Sequence, residues 1–188
     1  MNDSDYDRLR EVVLSGHRQD PTAAASHLHD PDPRVRAAAL GALRRSEALA
    51  AQALEAALVD PDPGVRRRAA DCASGRNDVL PALVSTLADE DPMVAETAAF
   101  ALGEMEPDDA LIEPLASVAV SHSDALCRES AVAALGSLGL PAGLPAVLAG
   151  WAISVRLKDK VPKDSVRTAI LVLSAFAAVA LIATTLIG

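Results

Sequence analysis

The chain has 188 residues, enough for one compact domain or for one repeat array with an appendage. Half of it is apolar but only Tyr6, Phe100, Trp151 and Phe176 are aromatic, and alanine and leucine dominate, a mixture suited to close helix-on-helix packing. Residues 1–157 hold thirteen arginines, no lysine and twenty-four acids, a net of −11 that lacks the basic stripe of a nucleic-acid binder.

The N-terminal residues Met1 to Asp5 are polar and acidic, the opposite of a secretory leader. Cys72 and Cys127 stand far apart with no short spacing. Both features predict a reducing, cytosolic setting, with the two thiols as small buried hydrophobes. An opening helix is expected near residues 5–14.

The next signal is self-similarity. Leu28-His29-Asp30-Pro31-Asp32-Pro33-Arg34-Val35-Arg36 recurs as Leu58-Val59-Asp60-Pro61-Asp62-Pro63-Gly64-Val65-Arg66 and again as Leu87-Ala88-Asp89-Glu90-Asp91-Pro92-Met93-Val94. Ser123-Asp124-Ala125-Leu126-Cys127-Arg128 is a weaker copy and Asp164-Ser165-Val166-Arg167 a fifth, more divergent one. Asp32, Asp62, Asp91 and Asp124 are placed to cap a helix N-terminus. The proline after the first three fits the first helical position, where its missing N–H costs nothing. Apolar residues three and four apart follow each cap, for example Val94, Ala98, Ala99, Ala101 and Leu102. A partner helix precedes each, at residues 22–28, 47–59, 79–87, 109–120 and 144–153. Ser46, Asp78 and Asp108 fit helix starts; Gly16, Gly103 and Gly139 fit helix stops.

The Asp-x-Asp-Pro-x-Val-Arg turn leading into an Ala/Leu-rich helix resembles HEAT repeats, in particular the short bacterial form of the phycobilin-lyase HEAT-like group. The resemblance runs from about Pro21 to Phe176. It implies an all-α fold, an armadillo-like α-solenoid of about five HEAT-like helix pairs, to which the uncharged C-terminal run adds an apolar helix. It implies an adaptor that binds a protein partner on its second helices. It also implies a ladder between repeats made by Asp32, Asp62, Asp124, Arg36, Arg66 and Arg128, interrupted at Ala95. Exposed polar residues of the second helices are the candidate contacts: Arg67, Arg68, Glu96, Thr97, Glu129 and Ser130.

Residues 158–167 form a basic segment with Lys158, Lys160, Lys163 and Arg167, and residues 168–188 carry no charge. Twenty-one residues at about 1.5 Å each span a bilayer core. The cations just upstream fit a cytoplasmic body of residues 1–157 anchored to the inner membrane by the C-terminus. The competing reading takes residues 168–188 as the last repeat helix of a wholly cytoplasmic chain.

Catalytic chemistry finds no foothold. His27 and His29, two apart, face different sides of a helix and suit surface groups better than ligands, so no metal and no cofactor is expected. The run Arg66-Arg67-Arg68 reads as a solvated helix face. A non-enzymatic scaffold is the expectation, with a bilin lyase-type accessory enzyme as the alternative by fold analogy.

Overall fold

The structure is a computed structural model that describes residues 3–139 and Leu148. The expected helix at 144–153, the fifth turn at 164–167, the basic segment 158–167 and the tail 168–188 lie outside the described residues. Those residues form nine α-helices and three short 3-10 turns. The chain divides into two units, residues 1–86 and 87–188.

In the first unit α1 (Asp3–Arg18), α3 (Pro33–Arg45) and α5 (Pro63–Cys72) lie in one row, α1 on α3 and α3 on α5. The partner helices α2 (Pro21–Ser26), α4 (Ala51–Leu58) and α6 (Leu80–Ser85) make the second layer, with α2 against α3 and α4 against α5 and α6. Val35, Leu40, Leu54, Val65 and Leu83 are fully buried between them. Burying each such side chain is worth about 1.5–3 kcal/mol, so the apolar stripes read from the repeat supply this unit's core.

In the second unit α7 (Pro92–Gly103) and α8 (Ile112–Ser121) both pack on α9 (Ala125–Leu138). Val94, Leu102, Leu115, Cys127 and Leu135 form its interior. Both cysteines are buried free thiols. Burial, with Asp71 beside one and Asp124 beside the other, pushes each up to about 11, so neither is a thiolate at neutral pH.

The helix starts follow from capping chemistry. Asp32, Asp62, Asp91 and Asp124 each accept a hydrogen bond from a first-turn amide of α3, α5, α7 and α9, and Pro33, Pro63 and Pro92 open their helices. Gly139 ends α9 in the left-handed conformation, as expected of a stop.

Two expected boundaries move, at Gly16 and Ser46, and Asp78 caps nothing: it lies inside the 3-10 turn Asn77–Val79 with its carboxylate held by Arg76. Gly16 is not a stop: α1 continues to Arg18, and Gln19 takes the positive φ of 55° that turns the chain. The glycine is there for contact, because a Cβ would stand 2.9 Å from both Cα and Cβ of Ala42 on α3. Gly103 closes α7 but serves the same purpose, since its Cβ would lie 2.8 Å from Ala134 Cα on α9. Ser46 is no helix start. Its hydroxyl donates to the carbonyls of Ala42 and Leu43 and closes α3, and α4 begins at Ala51 with no side-chain cap.

Candidate functional site

Each turn before a second helix is built around its first aspartate. Asp30 Oδ1 accepts from the Asp32 amide, Asp60 Oδ1 from the Asp62 amide and Asp89 Oδ1 from the Asp91 amide, each at 2.9 Å. In the fourth turn His122 Nδ1 takes this place and accepts from the Asp124 amide at 3.1 Å, which puts the neutral ring's proton on Nε2. The arginine at the end of the motif folds back on the same turn. Arg36 Nη1 donates to the carbonyls of Asp30 and Pro31, Arg66 Nη1 to those of Asp60 and Pro61, and Arg128 Nη1 to those of His122 and Ser123.

A ladder is present in the first unit, on different acids from those expected. Arg36 grips Asp60, not Asp62, through Nε at 2.9 Å and Nη2 at 2.7 Å. Arg8, which the repeat did not single out, grips Asp30 through Nε at 2.9 Å and Nη2 at 3.3 Å. Asp32 and Asp62 are taken up by capping, and Asp32 also pairs with Arg34 at 2.6 Å. The physical reason is position. A cap carboxylate must point along its own helix at the free amides, whereas the first aspartate, two residues earlier, can meet the neighbouring arginine.

Electrostatics agree. Burial raises the Asp60 carboxyl, yet Arg36 and the Asp62 amide outweigh it and hold it below the usual carboxylate range, while the Asp60 carboxylate raises Arg36. For Asp30, burial is likewise outweighed by the Asp32 amide, Arg8 and His27. Hydrogen bonds from Arg34 lower Asp32 to about 2. His27 is no free surface group: it is half-buried, with Nδ1 3.2 Å from Asp30 Oδ2.

These buried networks hold the turns together, and the exposed faces of the second helices form a surface apart from them. Arg67 and Arg68 are exposed, and Arg68 pairs with Asp71 at 2.9 Å. Arg66, in the same basic run, is buried and belongs to the turn. Glu96, Thr97, Glu129 and Ser130 are half-buried, and the Thr97 hydroxyl is spent on the Met93 carbonyl at 2.7 Å. The face of α7 shows instead two residues that were missed, Phe100 at 64% exposure and Met93 at 46%. They are seven apart, hence on one stripe. The signal was available: the buried stripe of α7 skips both positions. Among the described residues no cluster of three or more His, Cys, Asp or Glu is placed to hold a metal, and no helix is long and apolar enough to cross a membrane.

The family model for HEAT repeats matches residues 80–173, and that for the HEAT repeat associated with sister chromatid cohesion matches residues 25–43. None of the curated proteins matches the chain. Two crystal structures of engineered proteins, both Northeast Structural Genomics Consortium targets, share the fold. One has a TM-score of 0.64 at 20% identity, over 97% of this chain and 94% of its own. The other has a TM-score of 0.58 at 18% identity, over 95% and 88%. Half of the sequence fits the HEAT-repeat model, and the capped helix pairs are those the repeat requires, so the chain belongs to the HEAT-repeat family.

Proposed function

We propose that this protein is a non-enzymatic scaffold that binds a protein partner on the exposed faces of its second helices. Phe100 carries the reading. It is one of four aromatic residues in the chain, and it stands in water on a helix whose opposite side is locked by Val94, Ala98, Ala101 and Leu102. A rigid, exposed aromatic beside Met93 is the kind of group that dominates protein interfaces, because it offers large apolar area at little entropic cost. Membership of the HEAT-repeat family supports the same use. The resemblance to the phycobilin-lyase group rests on the turn motif alone and brings no bilin-handling residue with it.

The proposal includes a tether. Residues 168–188 anchor the body at the cytoplasmic face of the inner membrane, with Lys158, Lys160, Lys163 and Arg167 at the headgroups. The full chain should resist carbonate extraction from membranes, and a version ending at Asp164 should not. A full chain released by carbonate removes the tether. For the scaffold, quantitative affinity capture should recover a partner with the natural chain and lose it with Phe100→Ala. Equal recovery by both would sink the assignment of the binding face.

A further inference from the structure

Two arginines of the first unit converge where the chain has no side chain. Gly41 lies in α3, and a Cβ built on it would stand 3.5 Å from Arg45 Nη1 and 3.9 Å from Arg68 Nε. Guanidinium groups from α3 and α5 therefore each have a nitrogen within 3.9 Å of one point above the glycine. Both side chains are exposed, with Arg44 and Arg67 also exposed on the same two helices. Asp71 pairs with Arg68, but Arg45 forms no hydrogen bond or ion pair with another described residue. The absence of a side chain at Gly16 of α1 makes room for Arg45 as well, since a Cβ there would stand 2.5 Å from its Nη2, so the guanidinium lies over both glycines with Nη1 toward Arg68.

The geometry points to a carboxylate-binding site: Arg45 and Arg68, over Gly41, take an acidic side chain from a glutamate- or aspartate-rich segment of the partner protein. The proposal rests on the protein-binding reading and names the chemistry of the bound segment. Charge-assisted N–H···O bonds run about 2.7–2.9 Å, so one carboxylate above Gly41 can accept from both guanidiniums. Charge complementarity also limits the ligand. The chain as a whole is −9, which opposes long polyanions such as nucleic acid or an anionic bilayer. A short acidic segment meets the patch alone, because the rest of the body is screened beyond about 8 Å at physiological salt.

The test uses the full chain and a fluorescein-labelled peptide of ten glutamates, followed by anisotropy at physiological salt. The natural chain should bind it, and the Arg45→Gln/Arg68→Gln double variant should lose at least tenfold in affinity. Gly41→Glu should lose as much, because it supplies a carboxylate to the pair from within, while its helical signal and thermal midpoint hold. The double variant reads the site independently should Gly41→Glu fail to fold. Phe100→Ala should bind the peptide as the natural chain does. If the natural chain ignores the peptide, or the double variant binds it equally well, the site is overturned, and partner capture that still depends on Phe100 would leave the protein-binding reading standing. Tripolyphosphate or phosphatidylserine vesicles binding more tightly than the peptide, with the same dependence on Arg45 and Arg68, would overturn the assignment to an acidic protein segment.

Discussion

The two units close the same turn with different side chains. In the first, Arg36 and Asp60 form a two-point ion pair between successive turns, with both side chains largely out of solvent. At the same register the second unit has Ala95 and His122. The acceptor for the amide two residues on survives the change, because His122 Nδ1 does for Asp124 what Asp60 Oδ1 does for Asp62. The backbone bond inside the turn is thus kept in both units, whereas the rung between turns is dispensable. Where the cation is lost, the carboxylate is lost with it, since an aspartate there would be desolvated without a partner. The exposed faces differ as well: Arg44, Arg45, Arg67 and Arg68 in the first unit, Met93, Phe100 and Glu104 in the second.

The sharpest attack on this comparison is to move the rung. Ala95→Arg should destabilise the chain by about 3–5 kcal/mol, because a cation enters a fully buried position with no carboxylate at the register of Asp60. Adding His122→Asp should recover about 1–3 kcal/mol in a urea-denaturation double-mutant cycle. Purely additive effects would show that the two positions do not form a rung site.

Removing the rung that exists comes next. Asp60→Ala should cost about 2–3 kcal/mol, since it strips Arg36 of its partner and the Asp62 amide of its acceptor. The same variant reports on acid. Folded Asp60 and Asp30 titrate below their ordinary 3.8 and Asp32 near 2, so the folded state binds fewer protons than the unfolded one. Their stabilisation is complete above about pH 4 and is lost as the pH falls toward 2. Urea midpoints of the natural chain should therefore drop through that window more steeply than those of Asp60→Ala. Parallel curves would remove Asp60 from the account.

Packing differences are smaller. Gly103→Ala should cost about 1–3 kcal/mol, because the new methyl group meets Ala134 Cα at 2.8 Å and α7 must back away from α9. An unchanged melting temperature would mean the contact relaxes freely. The smallest effect belongs to the cap: Asp62→Ala should shift the denaturation midpoint by about 0.5–2 kcal/mol, as it frees the Gly64 and Val65 amides. A cost equal to that of Asp60→Ala would blur the distinction between cap and rung.

Local chemistry was legible at the four repeated turns, though not at Ser46 and Asp78, which read as helix starts and cap no helix N-terminus. The four aspartate caps, the prolines at the helix starts and the buried alanines and leucines follow from spacing, because capping and amphipathicity are decided within a turn or two of the chain. Phe100 and Met93 were legible in principle, as the two large apolar residues left out of the buried stripe of α7.

Other features depend on what lies across the helix interface, and there the sequence is silent. The repeat gives Asp30 and Asp60 no role of their own beside Asp32 and Asp62, and that role appears only when Arg8 and Arg36 reach them from 22 and 24 residues away. Gly16 reads as a helix stop until α3 is seen pressed against it. Arg45 and Arg68 belong to different repeats and meet over Gly41 because α3 packs on α5. The sequence by itself determined the helices, their caps and the repeat, since each is settled by neighbours along the chain. Tertiary structure alone decided which aspartates pair, which glycines are contacts and which arginines converge, because those depend on distances between helices that no local pattern encodes.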